Sequence, residues 1–152
     1  MSMDSRIELR PVAPGDLPIF YEHQRDAEAA RMAAFRSRGR AAFNAHWATN
    51  VLGNPANVTR TIVVDGRVAG NIGSWLQDGV RLVGYWIGNA YWGRGVATRA
   101  LAEFLHIVNE RPLYAHVAAH NAGSIRVLEK CGFTFEHEQH AGDVTELVYV
   151  LR

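Results

Sequence analysis

Residues 84–104, GYWIGNAYWGRGVATRALAEF, run a β-rich segment into Gly93-Arg94-Gly95 and then straight into a helical pattern. A helix begun directly after glycines leaves its first amides without intrahelical acceptors. Those amides, backed by the positive end of the helix dipole, favour a phosphate or diphosphate. Gly93 and Gly95 carry no Cβ, so an anion can approach the main chain and φ can be positive. Ala97 keeps the first turn small, and the Thr98 hydroxyl adds a donor. Behind them Val96, Ala100, Phe104 and Val108 recur at four-residue spacing, a stripe that docks the helix, while Arg99, Glu103 and His106 fall elsewhere on the wheel. A glycine turn that merely reverses the chain would use the same residues, and this segment alone does not choose between the two.

Two familiar phosphate loops do not fit. No Gly-Lys-Ser/Thr run opens a helix, and GRGVAT meets the dinucleotide pattern only in part. The next strand-like stretch, YAHVAAHN, offers histidines where that pattern wants an acidic residue. A second stretch, HNAGSIRVLEKCGFTFE at 120–136, has the same design of a cap, a helix and a stop. Asn121 is a good N-cap, and Gly132 sits where a helix end wants a left-handed residue. On these terms alone Asn121 is a cap and Ser124 a first-turn polar residue.

Other reactive types have plainer readings. Cys131, at a helix end beside Gly132-Phe133, reads as a packed thiol rather than a nucleophile. His116 with His120, and His137 with His140, have short spacings but no third ligand on a shared face, so no metal site is expected. The arginines of RMAAFRSRGR (31–40) read as a solvated surface run. Trp47, Trp75, Tyr85 and Trp86 suit either a cleft wall or the core.

The elements that must position these residues alternate in type. RIELRPV (6–12) reads as a half-buried strand, a helix opens near Asp16, and a second helix spans 38–51. TIVVDGRVAGNIGSW is a hairpin turning at Asp65-Gly66, and VRLVGYWIG (80–88) is the next strand. A helix at 93–109 leads to a strand at 113–117, a crossover that makes 80–88 and 113–117 parallel neighbours. A helix at 121–131 and strands at 132–138 and 144–151 complete an α+β domain spanning 1–152, with a mixed sheet of about seven strands and about four helices.

Composition narrows the class. Sixteen basic against 15 acidic residues give a net charge of +1, which does not point to nucleic acid. Hydrophobic residues at 48% and charged residues at 20% are the balance of a folded soluble protein. A single cysteine excludes an internal disulfide and agrees with a reducing compartment. With no apolar run of spanning length and no apolar leader in MSMDSRIELRP, the expectation is a cytoplasmic protein that does not enter a membrane.

WGRGVA, Trp92 to Ala97, resembles the coenzyme A diphosphate loop of the GNAT N-acetyltransferase superfamily, whose pattern is Gln/Arg-x-x-Gly-x-Gly/Ala. HNAGSIRVLEKCGFTFE is similar to the second signature of that superfamily, and the element order from Ile7 to Leu151 agrees with its fold. Trp92 in the Gln/Arg place, YWGRGVAT, and Asn121 with Ser124 look like the Rim-type branch of ribosomal-protein N-acetyltransferases.

The resemblance implies a V-shaped splay between strands four and five, with the pantetheine arm lying between them like an extra strand. It implies that Trp92, Gly93, Arg94, Gly95, Val96, Ala97 and Thr98 hold the diphosphate, that main-chain groups of Trp86, Ile87 and Gly88 pair with pantetheine, and that Asn121 bonds the same arm. Arg94, Arg99, Arg126 and Lys130 border the two helix starts and suit the remaining phosphates. An amide near the thioester would stabilise the oxyanion, and a primary amine would attack acetyl-CoA directly in a ternary complex. Many of these enzymes protonate the departing thiolate with a tyrosine in the Asn helix; Leu128 stands there here, and Ser124 is the substitute. Asp143 and Glu146, beside the last hairpin, are the candidate bases, with His116 and His120 as proton shuttles. The implied acceptor is a small-molecule amine or a protein N-terminus, with a homodimer left open. The alternative is a non-catalytic acyl-CoA sensor of the same fold.

Overall fold

The structure is a computed structural model and describes residues 5–34 and 37–152; Arg36 of the expected basic run lies outside the described residues. The strands are β1 (Ile7–Arg10), β2 (Val58–Val64), β3 (Arg67–Gln77), β4 (Val80–Ile87), β5 (Leu113–Ala118), β6 (Thr134–Ala141) and β7 (Val144–Leu151). The helices are α1 (Leu17–Arg25), α2 (Ala27–Met32), α3 (Arg40–His46), α4 (Val96–Phe104) and α5 (Ala122–Lys130). The strands form one mixed sheet in the order β1-β2-β3-β4-β5-β7-β6.

β1 to β4 make an antiparallel meander. Its first hairpin turns at Asp65 (φ 50°) and Gly66 (φ 82°), the two positive values that a tight two-residue turn requires. β4 and β5 are the parallel pair, and they meet at one register point, Leu82 opposite Tyr114. Beyond it the strands part, which produces the expected V. β5, β7 and β6 continue antiparallel on the far side.

Val96, Ala100, Leu101 and Phe104 of α4 are buried with Leu128 of α5 against Ile62, Ile72, Val83 and Leu113 of the sheet. The predicted stripe is therefore the docked face, Val108 included. α5 ends as its sequence predicts. Gly132 is left-handed (φ 93°), its amide donates to the Glu129 carbonyl, and the Phe133 amide reaches back to the Leu128 carbonyl. Phe20, Phe43 and Trp47 build a second, smaller cluster.

Several boundaries differ from expectation: α4 ends at Phe104 rather than 109, and β6 runs over Thr134–Ala141 rather than 132–138. α4 starts at Val96 rather than 93 because Gly93 (φ 73°) and Gly95 (φ 74°) are both left-handed and cannot join the helix. The predicted 38–51 helix is α3 followed by a wider π-type turn over Trp47–Val51. The described residues form five α-helices rather than about four, since α2 is split from α1 at Asp26, whose backbone is extended (ψ 120°) and whose carboxylate caps α2 through the Ala29 amide at 3.0 Å.

One buried charge pins the first helical segment to the sheet. Asp16, 4% exposed, accepts both Arg10 guanidinium nitrogens (2.7 and 2.9 Å), the Ala13 amide (2.8 Å) and the Thr61 hydroxyl (2.7 Å). The hydrogen bonds from Arg10, foremost among these donors, hold its pKa down from 3.8 to about 2. A carboxyl depressed on folding contributes its stability above the unfolded value and loses it as pH falls through the folded one. The shift corresponds to about 2 kcal/mol. Denaturant titrations should therefore show stability draining between about pH 4 and pH 2, and Asp16→Asn should be less stable at neutral pH while lacking that dependence.

Candidate active site

β4 runs out at Ile87 and the chain turns through Asn89–Tyr91, so the glycine loop lies beside the mouth of the V. Gly95 is the N-cap of α4 and has no side chain to offer. The first helical bond runs from the Arg99 amide to the Gly95 carbonyl at 3.1 Å, which leaves the amides of Val96, Ala97 and Thr98 without acceptors inside the helix. A Cβ on Gly93 or Gly95 would meet no atom within 4 Å, so these glycines face open space and are demanded by backbone conformation, not by crowding.

That space is a cavity of about 420 Å³. Trp86, Ile87, Trp92, Gly93, Gly95 to Thr98, Asn121 and Ser124 all line it, which brings ten of the twelve sequence-derived cofactor positions to one wall. Arg126 and Lys130 stand on the same rim, as the sequence suggested. Arg94 is not in the wall; its guanidinium lies 5.9 Å from the Tyr91 ring centre. Arg99 is elsewhere too, donating to the Ser5 carbonyl at 2.9 Å.

The main chain of β4 divides its groups between two sides. The Gly88 amide donates to the Ala69 carbonyl at 2.8 Å, so it belongs to the β3 ladder and is not available to pantetheine. Bonded pairs alternate along an antiparallel ladder, and Asn71 stands opposite Trp86; the amides of Tyr85 and Ile87 therefore point toward the gap. The Ile87 carbonyl already accepts the Trp92 indole N–H at 2.9 Å. Trp92 thus braces the loop against the end of β4.

Asn121 caps α5, its Oδ1 accepting the Ser124 amide at 3.2 Å, and the residue lines the cavity. Ser124 Oγ lies 2.8 Å from the Tyr85 hydroxyl. Burial pushes the Tyr85 pKa up to about 12, opposed in part by the Ser124 hydrogen bond, so the phenol keeps its proton at neutral pH. Leu128 is core, 3% exposed. A phenol thus reaches the pocket from β4 although the Asn helix has none. The sequence suits Tyr85 to a cleft wall or the core and does not reveal this role, because its partner is 39 residues away.

A second cavity of about 530 Å³ shares Tyr85 and Trp86 with the first and opens between α1, α3 and the sheet. Trp47 and Trp75 line it as well. The Trp75 ring lies across Gly84, whose missing Cβ would come within 2.8 Å of it.

The expected bases stand apart. Asp143 is exposed in the turn between β6 and β7 and lines neither cavity. Glu146 accepts from Gln139 Nε2 at 2.7 Å and lies 3.3 Å from His116 Nδ1, also outside both cavities. His120 Nε2 is 2.8 Å from the Arg31 carbonyl. Burial raises the Cys131 pKa and its thiol donates to the Thr98 carbonyl at 3.5 Å, the behaviour of a packed cysteine. Among the described residues no group of three or more His, Cys, Asp or Glu is gathered as for a metal, and no helix is long and apolar enough to cross a membrane.

The mixed sheet parts beside a glycine-opened helix, with an Asn-capped helix across the gap. The family described as the acetyltransferase (GNAT) domain matches residues 6–134, and the chain belongs to it. Solved structures agree at low identity. An aminoglycoside acetyltransferase AAC(6')-Ib in complex with coenzyme A has a TM-score of 0.81 at 18% identity over 96% of this chain and 94% of that one. The ribosomal L7/L12 α-N-protein acetyltransferase RimL, in complex with coenzyme A, has a TM-score of 0.81 at 16% identity over 95% and 93%. A GNAT-family acetyltransferase from Bacillus anthracis has a TM-score of 0.79 at 16% identity over 96% and 94%. No curated protein sequence matches the chain.

Proposed function

We propose that the protein transfers an acetyl group from acetyl-CoA to a primary amine, both substrates being bound at once. The observation that carries this reading is the free amide row at Val96, Ala97 and Thr98, opening on the same cavity as Asn121 and Ser124. The amide row takes the diphosphate, with Arg126 and Lys130 adding charge at the rim. The Ile87 and Tyr85 amides face the pantetheine strand position, and one of them is the donor for the oxyanion.

The amine nitrogen attacks the thioester carbonyl, a C–N bond forms, and collapse of the intermediate breaks C–S. Ser124 gives its hydroxyl proton to the departing sulfur and is resupplied by Tyr85 at 2.8 Å. The surplus proton of the acylated nitrogen leaves to solvent and restores the phenol, so amine and acetyl-CoA become amide and free thiol. Asp143, outside both cavities, receives no step. An α-amine, which titrates near 8, needs little help to be neutral, unlike a lysine near 10.4.

The test is a thiol-release assay over a broad panel of amines. Amine-dependent release with matching amide product is the expected result. Binding of acetyl-CoA with no amine-dependent release would instead make the protein a sensor.

A further inference from the structure

The floor of the second cavity is stripped of side chains where the sheet is otherwise filled. Thr59, Gly73 and Gly84 stand opposite one another across β2, β3 and β4, with Asn71 and Trp86 paired in the next row. All five line the cavity. Gly84 has a packing reason, since the Trp75 ring takes the place of its Cβ. Gly73 has none: a Cβ there would meet nothing closer than the Thr59 hydroxyl at 3.5 Å, and its φ is not positive. A glycine inside a strand weakens it and marks a place where another group comes close to the backbone. The main chain at Gly73 is thus a bare seat bordered by Trp75 and Trp86.

The walls around this seat hold little for a charged or peptidic body. Among the described residues no carboxylate lines the cavity, so a polycation would lose its hydration with nothing in exchange. Burial, and after it the Arg38 charge, lowers the His46 pKa, so that imidazole is neutral at neutral pH, and Arg38 already has a partner. A ligand carboxylate therefore finds no counter-ion set aside for it. The asparagines hold their own loop. Asn50 Nδ2 donates to His46 Nδ1 at 3.2 Å, Asn54 Oδ1 accepts the Ala56 amide at 3.0 Å, and Asn57 Nδ2 donates to the Asn50 and Val51 carbonyls at 3.0 and 3.1 Å. A bound peptide would need such groups for its own amides and carbonyls.

What the cleft does offer is aromatic surface and bare backbone. Resting on the acetyl-transfer reading, we infer that the acceptor is a small monoamine whose body is an uncharged planar ring. The ring lies on Gly73 between Trp75 and Trp86, and the amine points toward Tyr85 and Trp86, which the two cavities share. Its chemistry is that of an arylalkylamine rather than of an amino acid, a polyamine or a protein N-terminus. The volume of about 530 Å³ suits a ligand of that size.

Isothermal titration calorimetry reads binding independent of turnover. The full chain, saturated with coenzyme A, is titrated with phenethylamine, butylamine, phenylalanine, spermidine and trialanine. Phenethylamine should bind at least about 10-fold tighter than butylamine, spermidine or trialanine, a difference of about 1.4 kcal/mol, and phenylalanine should bind no tighter than phenethylamine. Gly73→Val, which places a branched side chain on the bare seat, should weaken phenethylamine by at least about 10-fold and leave coenzyme A affinity unchanged. Should that variant fail to fold, which loss of coenzyme A binding would report, a second pair decides: Trp75→Ala should erase the preference over butylamine and Trp75→Phe should restore part of it. No saturable binding of phenethylamine, a smaller preference, tighter binding of phenylalanine, wild-type phenethylamine affinity in Gly73→Val, or a preference that survives Trp75→Ala overturns the inference. Any of these results can coexist with amine-dependent thiol release, so the acetyl-transfer reading fails or stands by its own assay.

Discussion

Gly95→Asp should weaken acetyl-CoA binding by about 100-fold or more, equivalent to about 2.7 kcal/mol. Gly95 holds φ at 74° and caps α4, so its side chain would project beside the free amides. The added carboxylate would stand where a diphosphate is to be held, opposing the helix dipole's preference with a like charge. The left-handed backbone adds about 1–2 kcal/mol of strain for any L side chain. Gly95→Ala separates the two causes, since nothing lies within 4 Å of its Cβ and only the strain applies. Calorimetric titration with acetyl-CoA should place Gly95→Ala between wild type and Gly95→Asp, with thermal melts reporting how much of each change is folding.

Ser124→Ala should lower kcat by about 100-fold, the ordinary worth of a general acid, with the KM for acetyl-CoA little altered. Tyr85→Phe keeps the ring in its packing and deletes only the hydroxyl that meets Ser124 at 2.8 Å. Its kcat should fall by about 10-fold, less than the roughly 100-fold or more of a direct general acid, because Tyr85 reaches the sulfur only through Ser124. If the two hydroxyls work in series, the double variant should be no slower than Ser124→Ala alone, because residues that act as a unit are not additive. Losses that multiply would mean that Tyr85 serves the site by another route. The departing sulfur is the reason to expect kcat to move rather than KM: the proton is needed only as C–S breaks.

Local signals made much of this legible. The Asp65-Gly66 turn, the four-residue stripe of α4, and the Asn121 and Gly132 ends of α5 each depend on a few neighbouring residues, and each appears in the fold where those residues put it. The glycine loop was legible for the same reason, down to the cavity that its residues share with Asn121 and Ser124.

Contacts between distant elements were not. Tyr85 meets Ser124 because β4 and α5 face each other across the gap, which no spacing in the sequence encodes. Arg99 sits on α4 among residues suited to phosphates, yet its guanidinium reaches the Ser5 carbonyl far away in sequence. The Gly88 amide is consumed by β3, a matter of ladder phase that turns on a single residue. The Gln24–Arg38 clamp joins two segments that read separately as a helix and a surface run.

The most direct test of the central claim is a crystal structure of the protein with coenzyme A. The account predicts diphosphate oxygens within hydrogen-bond distance of the main-chain nitrogens of Val96, Ala97 and Thr98, with the pantetheine arm running between β4 and β5. A diphosphate held by side chains away from α4, with those amides left to water, would contradict it.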